Sequence, residues 1–253
     1  MAWHPVHAQE LEKLPRINGF AVDSSAETRV YAATQGGLFV SSDGGKNWTD
    51  PYNFKYPVTM AEISSDGNIY AFVVTKGLLR LGVSDKEWLL INNKFGGQVL
   101  TKLAAIPGTP VQFLAQNQYG KVLRSYDGGE TWAGSIGGAG PVSEKEKRGE
   151  KLFATNCQSC HGIDGVGEAY SKEALTTKGY LMAPALDDST HAWHHTDDAL
   201  VKTIMEGSER TERMKAWKND LKETDARDIV AYMKSLWGPR ALECQGPKHM
   251  KCM

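Results

Sequence analysis

The segment SYDGGETW, Ser125 to Trp132, repeats SSDGGKNW, Ser41 to Trp48, position by position. An aspartate followed by two glycines within a β-branched and aromatic setting reads as a tight turn between strands. Asp43 and Asp127 stand two periods of about 42 residues apart, within the span of sheet-repeat units. A third unit should lie midway, and GLLRLGVSDKEW, Gly77 to Trp88, sits there with its tryptophan kept and its turn degraded. Each unit has the same upstream runs: INGFAVDS, RVYAAT and GLFVSS in the first, VTMAEISS, NIYAFVV and GLLRLGV in the second, VLTKLAAI, VQFLAQN and KVLRSY in the third.

Four short antiparallel strands per unit, with units over about 15–55, 56–97 and 98–135, predict blades of a β-propeller. The pattern Ser-x-Asp-x-Gly-x-Thr-Trp resembles the Asp-box of sialidase-like (BNR-repeat) propellers. Ser125, Asp127, Gly129, Thr131 and Trp132 match it fully, and Ser41, Asp43, Gly45 and Trp48 match it with Asn47 in place of the threonine. The resemblance implies an architectural role: Asp caps backbone groups, Gly takes positive φ, and Trp packs between blades. It implies no sialidase activity, since no arginine triad or nucleophilic tyrosine is in view. Closed propellers have about four to eight blades, and three leave an open arc. Open strand edges pair with something, so another copy, another subunit or further blades upstream are expected to complete the ring.

Near residue 135 the character changes from strands and turns to Lys, Glu and Ala segments with helical spacing. GSIGGAGP, Gly134 to Pro141, reads as a flexible joint. The expected organisation is repeats over 1–135, a linker over 136–142, an all-α domain over 143–238, and a tail over 239–253. Lys and Arg number 29 against 30 Asp and Glu, a balance that gives no sign of a nucleic-acid partner. No run approaches the length of apolar sequence that a membrane span requires, and MAWHPVHAQELEKLP lacks the pattern of a secretory leader.

The chemistry concentrates in NCQSCHG, Asn156 to Gly162. Two cysteines spaced by two residues can hold zinc, exchange a disulfide or bond to a haem. Zinc needs a second ligand pair, and CQGPKHMKC at Cys244–Cys252 does not form one. Dithiol exchange needs a βαβ context, whereas the flanks here are helical. Cys-x-x-Cys-His is the attachment signature of c-type haem. A helix leads in, with Ser143 and Glu146 as a capping box and Leu152 and Phe153 facing inward. Gly162, Gly165 and Gly167 follow, and KETDARDIVAYMKSLW, Lys222 to Trp237, reads as a closing helix with Thr224 as N-cap, an apolar face at Ile229, Val230, Met233 and Leu236, and a stop at Gly238-Pro239.

By SEKEKRGEKLFATNCQSCHGIDGVG, LMAPAL, MKAW and DIVAYMKSLWG, the stretch from Ser143 to Trp237 resembles a class I monohaem cytochrome c. The resemblance implies one covalent haem c on Cys157 and Cys160, with His161 and Met214 as the iron's axial ligands. It also implies that Pro184 gives its carbonyl to His161, and that Leu186 and Trp217 wall the haem, with Trp193 beside it. Met182, Met205, His191, His194 and His195 are rival ligands. The family often has proline after the methionine where this chain has Lys215, which puts the rigidity of that loop in question. In HAWHHTDD, Thr196 is expected to cap a helix from Asp197, with the histidines at the haem edge or in solvent; a metal site is the alternative. Because c-type haem is attached outside the cytoplasm, Cys244 and Cys252 are expected to pair as a disulfide in a flexible tail.

The function implied is a periplasmic carrier of single electrons, exported with its leader absent from this sequence. Its partners would be a redox protein or enzyme as donor or acceptor; Arg210, Arg213, Lys215, Lys218 and Lys222, interrupted by Glu209, Glu212 and Asp220, read first as a solvated face, and the same mixed rim also suits brief docking on an acidic surface. Two other readings stay open: a haem enzyme whose sixth ligand leaves, and an assembly module similar to the propellers that help build photosynthetic complexes, with the haem domain fused to it.

Overall fold

The structure is a computed structural model that describes residues 14–23, 28–132 and 137–252. The chain divides into two compact units, one of Met1–Asn93 and Val99–Ala133, the other of Lys94–Gln98 and Gly134–Met253. Lys94–Gln98, a stretch that the repeat pattern shares between its second and third units, thus folds with the helical part.

The first unit holds three antiparallel sheets. The first is β1 (Ile17–Val22), β2 (Val30–Thr34) and β3 (Gly37–Ser41); the second is β4 (Val58–Ile63), β5 (Ile69–Val73), β6 (Gly77–Leu81) and β7 (Leu89–Asn92); the third is β8 (Leu100–Ile106), β9 (Gln112–Asn117) and β10 (Val122–Ser125). Among the described residues, only the second sheet has the expected four strands. In the first, the fourth strand shrinks to a single bridge between Val40 and Thr49, because Pro51 brings no N–H to a ladder and Asn53 and Lys55 turn to positive φ. In the third, Ala133 to Ser135, where a fourth strand was expected, lie outside the described residues.

Burial shows how the sheets stack. Every residue of β5 is buried, so the second sheet is covered on both faces. In β1, β9 and β10 buried and open positions tend to alternate, leaving Phe20 and Val22 exposed on the first sheet and Leu114 and Val122 on the third. The first strands of the sheets are joined by side chains: Asn18 Nδ2 donates to the Val58 carbonyl (2.7 Å) and Thr59 Oγ1 to that of Leu100 (2.5 Å).

The two matched turns have the same bonds. Ser41 Oγ accepts from the Gly45 N–H (2.8 Å), Asp43 Oδ1 accepts from the N–H of Asn47 (2.9 Å), and Trp48 Nε1 donates to the Gly45 carbonyl (3.1 Å). Ser125, Asp127, Gly129, Thr131 and Trp132 reproduce this set, and Gly45 and Gly129 have φ of 90° and 96°. The ring contacts of Trp48 with Phe20 and of Trp132 with Phe113 stay within their own sheets. Trp88 instead meets Tyr52 and Phe54 edge-on, in the connection from the first sheet to the second. Its Nε1 is buried without an acceptor among the described residues, whereas Trp48 and Trp132 each donate to the carbonyl of the glycine three residues before.

The second unit is helical: α1 (Glu144–Asn156), α2 (Gln158–His161), α3 (Lys172–Thr176), α4 (Asp197–Glu206), α5 (Glu223–Ser235) and α6 (Pro239–Glu243), then a 3-10 turn over Gly246–Lys251. Ser143 and Glu146 form the capping box of α1, and Thr196 caps α4. Thr224 is not the cap of α5: the helix begins one residue before it, and Asp225 accepts from the backbone N–H of Lys222, the N-cap (2.9 Å). Helices α1 and α5 cross where α1 has no side chain, since a Cβ on Gly149 would lie 1.9 Å from the Asp228 carbonyl oxygen. Around the crossing are Phe153, Ile229, Val230, Met233, Leu236 and Trp237, each 3% exposed or less.

Two expectations of looseness are corrected. The N–H groups of Gly138 and Gly140 donate to the carbonyls of Leu236 (2.9 Å) and Ser235 (3.0 Å), so the described end of the expected linker is pinned to the end of α5; Gly134 to Ile136 lie outside the described residues. The tail is folded: Cys244 is 3% exposed and disulfide-bonded to Cys252, and Gln245 Nε2 donates to the His195 carbonyl (3.1 Å) and to Asp197.

Candidate functional site

Helix α1 delivers Cys157 as its C-cap, and the N–H groups of Cys160 and His161 turn back onto the Cys157 carbonyl. The chain then doubles over itself. Gly167 donates to the His161 carbonyl (2.7 Å), and its φ of 87° and lack of a side chain let the 184–185 backbone approach, since a Cβ there would lie 2.9 Å from the Ala185 nitrogen. This approach places the Pro184 carbonyl 2.8 Å from His161 Nδ1. A carbonyl can only accept, so Nδ1 carries the proton and Nε2 keeps its lone pair. Burial lowers the His161 pKa, against the opposing pull of the Pro184 bond and of Glu168, which favours the neutral imidazole that a metal needs.

Cys157, Cys160, His161, Pro184, Leu186, Met214 and Trp217 line one cavity of about 510 Å³, floored by Phe153, Leu200, Ile204, Ile229 and Met233. The volume and apolar lining suit an organic cofactor. Met182, His191 and His195 also reach it, so these rivals share the cavity with Met214. Met205 and Trp193 do not: both pack against the helical core, and Trp193 lies edge-on to His194 at 4.2 Å. His194 stacks on His249 at 4.4 Å between ring centroids, and among the described residues no group of three or more His, Cys, Asp or Glu is arranged to hold a metal ion.

The two cysteines of the motif are unpaired thiols, Cys157 half-buried and Cys160 exposed. Burial, with Cys160 adding to it, pushes the Cys157 thiol up to about 11. A dithiol exchanger works through a lowered pKa and a standing thiolate, so this environment opposes that chemistry.

The Met214 segment is a loop tied at both ends. Ser208 N–H donates to the Met214 carbonyl (3.0 Å) and Trp217 N–H to that of Ile204 (3.1 Å). Lys215 lies 4.0 Å over the Trp217 ring and pairs with Asp220 at 3.4 Å. Arg213, read from the sequence as part of a mixed rim, is engaged: its guanidinium binds both oxygens of Glu168 at 2.8 Å. Burial would raise the Glu168 carboxyl, but bonds from Arg213, Tyr180 and the Ala183 N–H outweigh it and hold it at about 2. Glu168 escaped sequence reasoning because nothing in GVGEAY distinguishes it from a solvated acid.

A thiol pair, a carbonyl-oriented neutral imidazole and a methionine around one apolar cavity define a cytochrome c domain, and a haem cofactor is what such a domain implies. Residues 144–233 match the family described as "Cytochrome C oxidase, cbb3-type, subunit III". The cbb3-type cytochrome c oxidase subunit FixP of Bradyrhizobium diazoefficiens is 32% identical over 91 residues, covering 36% of this chain and 27% of the relative. The chain therefore spans about a quarter of that protein's length. Among solved structures, an ancestral GH74 enzyme overlaps 47% of this chain and 18% of its own at 17% identity and a TM-score of 0.38. YCF48 from Cyanidioschyzon merolae overlaps 47% of this chain and 36% of its own at 19% identity and a TM-score of 0.37. Both TM-scores are low, and the β part is defined by its own strand order and burial. No helix among the described residues is long and apolar enough to cross a membrane.

The residues present fit a haem: the cavity is large and apolar enough, His161 keeps its Nε2 lone pair, and the thiols are unpaired.

Proposed function

We propose that the chain is an exported, periplasmic carrier of single electrons, with one haem held by thioether bonds to Cys157 and Cys160 and by axial ligation from His161 and Met214. The observation that carries this reading is the 2.8 Å bond from His161 Nδ1 to the Pro184 carbonyl at the edge of a cavity shared with Met214 and both thiols. Bound there, haem supplies one-electron iron chemistry. Pro184 fixes the imidazole plane and tautomer, and electron donation by its carbonyl raises the basicity of Nε2. Leu186 and Trp217 would help keep water from the cavity, and iron held by a histidine and a methionine would favour electron transfer over oxygen chemistry.

The three sheets would serve as the docking part, their open end faces taking up another chain or copy, and the redox donor or acceptor would meet the helical domain. His191 and His195 reach the cavity, so a histidine in place of Met214 is the competing ligand set. The test is acid–acetone extraction of the matured protein followed by absorption spectroscopy. Haem should stay with the polypeptide, and should be extracted from a Cys157→Ala/Cys160→Ala variant. The weak sulfur-to-iron band of the oxidised protein should vanish in Met214→Ala. Extractable haem in the parent protein would sink the covalent assignment, and an unchanged spectrum in Met214→Ala would sink the ligand assignment.

A further inference from the structure

Glu168 stands where two functionally separate loops meet. Its Oε1 accepts from Arg213 Nη2 (2.8 Å) and from the Tyr180 hydroxyl (2.6 Å), and its Oε2 accepts from Arg213 Nη1 (2.8 Å) and from the Ala183 N–H (2.8 Å). The Glu168 N–H in turn donates to the Ala183 carbonyl at 3.0 Å. Arg213 closes the arrangement: Nη1 also donates to the Leu181 carbonyl (2.7 Å), and the guanidinium lies 4.3 Å over the Tyr180 ring. The Glu168 side chain is only 16% exposed, so water competes weakly for these bonds.

The sequence positions give the arrangement its meaning. Ala183 is the residue before Pro184, whose carbonyl orients His161, and Arg213 is the residue before Met214. A single carboxylate therefore ties, one residue away from each, the segment that orients the histidine to the segment that bears the methionine. A two-bond fork between guanidinium and carboxylate fixes direction as well as distance, which a lysine could not do. Lys215 occupies the position where a proline would stiffen the methionine loop, and the loop's stiffness then has to come from contacts of this kind.

We infer that Glu168 and Arg213 are positioning residues that hold the Met214 loop against the His161 side of the cavity and so keep the methionine on the iron. The inference rests on the ligand assignment proposed above. Without the fork, the loop samples open states more often, and an added ligand can take the sixth position more readily.

The test is titration of the oxidised holoprotein with imidazole, read by loss of the sulfur-to-iron band. Glu168→Gln and Arg213→Lys should each raise the apparent imidazole affinity about tenfold, with the far-UV helical signal unchanged. The second variant keeps the charge and removes the fork together with the guanidinium's contact over Tyr180, so it decides the matter if the first does not accumulate. Because the two residues act as one unit, Glu168→Gln/Arg213→Gln should exceed neither single change by much. Lys202→Gln, which removes an exposed charge of α4 outside the docking rim, should bind imidazole as the parent does. Parental imidazole affinity in both single variants overturns the inference while Met214→Ala still abolishes the band. A band that survives in Met214→Ala instead overturns the ligand assignment, and the inference with it.

Discussion

Replacing Gly149 by alanine should destabilise the helical unit, against the usual direction for that change. In an exposed helix interior, Gly→Ala gains about 1 kcal/mol of helix preference. Here the new Cβ would stand 1.9 Å from the Asp228 carbonyl oxygen, 2.5 Å from the Asp228 carbonyl carbon and 2.9 Å from the Tyr232 Cβ. Two of these atoms are backbone, so no rotamer change relieves the overlap, and α1 must move away from α5. That motion loosens the contact of the Phe153 and Tyr232 rings, 5.2 Å between centroids, and the Arg148–Asp228 ion pair at 2.9 Å. Overpacking of a core costs about 1–3 kcal/mol, and a backbone clash belongs at the upper end. Offset by the helix gain, the expected net loss is about 2 kcal/mol. Urea unfolding of the holoprotein, followed by the helical far-UV signal, reports on this unit because the other consists of strands. With a slope of about 2 kcal/mol per molar urea, the midpoint should fall by about 1 M. Lys151→Ala, on the exposed face of the same helix, should leave it in place. A Gly149→Ala midpoint at or above the parent's would refute the reading of Gly149 as the point of closest approach.

Trp237→Phe should cost about 1–3 kcal/mol in the same assay, because the indole Nε1 donates to the Leu186 carbonyl at 2.8 Å and phenylalanine leaves that acceptor unpaired beside a fully buried ring. Cys252→Ser should free the tail; a disulfide that spans eight residues contributes roughly 2.5 kcal/mol by loop entropy, and hydrogen exchange should rise over 239–252 while α1 and α5 stay protected. Acid should weaken the β unit as pH falls through and below the ordinary carboxylate range. Asp43, chiefly through Asn47, and Asp127, chiefly through Thr131, are held below the usual value in the folded state. A carboxylate lowered on folding stabilises fully above its unfolded pKa of about 3.9, and that stability is lost as pH falls from there toward the folded value. Thermal unfolding followed by tryptophan fluorescence should decline over that window, and Asp43→Asn/Asp127→Asn should flatten the decline.

What the sequence made legible was whatever chemistry a short run of residues encodes by itself. The capping box at Ser143 and Glu146 and the turns at Ser41–Trp48 and Ser125–Trp132 close their bonds within a few residues, so spelling and structure coincide. The apolar face of α5 was readable from its period. Pairings across long separations had no such spelling. Gly149 is one glycine in a charged helix until α5 is laid across it, and Glu168 finds Arg213 from 45 residues away. Composition misled at Gly138 and Gly140, where glycine read as a flexible joint and the backbone is instead bonded to the end of α5. It misled also at the tail, whose order comes from Gln245 reaching back to His195 and Asp197. The fourth strand of the first sheet failed for a local reason that the sequence did hold, Pro51, outweighed in the reading by the strength of the repeat.

The octapeptide turns have a consequence for how this chain can change over generations. The side-chain bonds of Ser41, Asp43, Ser125 and Asp127 close inside the eight residues, while the backbone of each turn is also tied outside it, by Gly44 and Gly128 N–H to the Thr28 and Val111 carbonyls and by Asn92 Nδ2 to the Glu130 carbonyl, so the side-chain set can be lost while these outer ties remain. The middle unit records such a decay: Gly82 and Asp85 now make a shorter turn, the stranded indole of Trp88 bears the cost, and the four strands on either side remain paired. The copies that keep the full spelling need not be the ones that hold the stack together: the sheet with the lost turn is the one whose inner strand β5 is buried throughout.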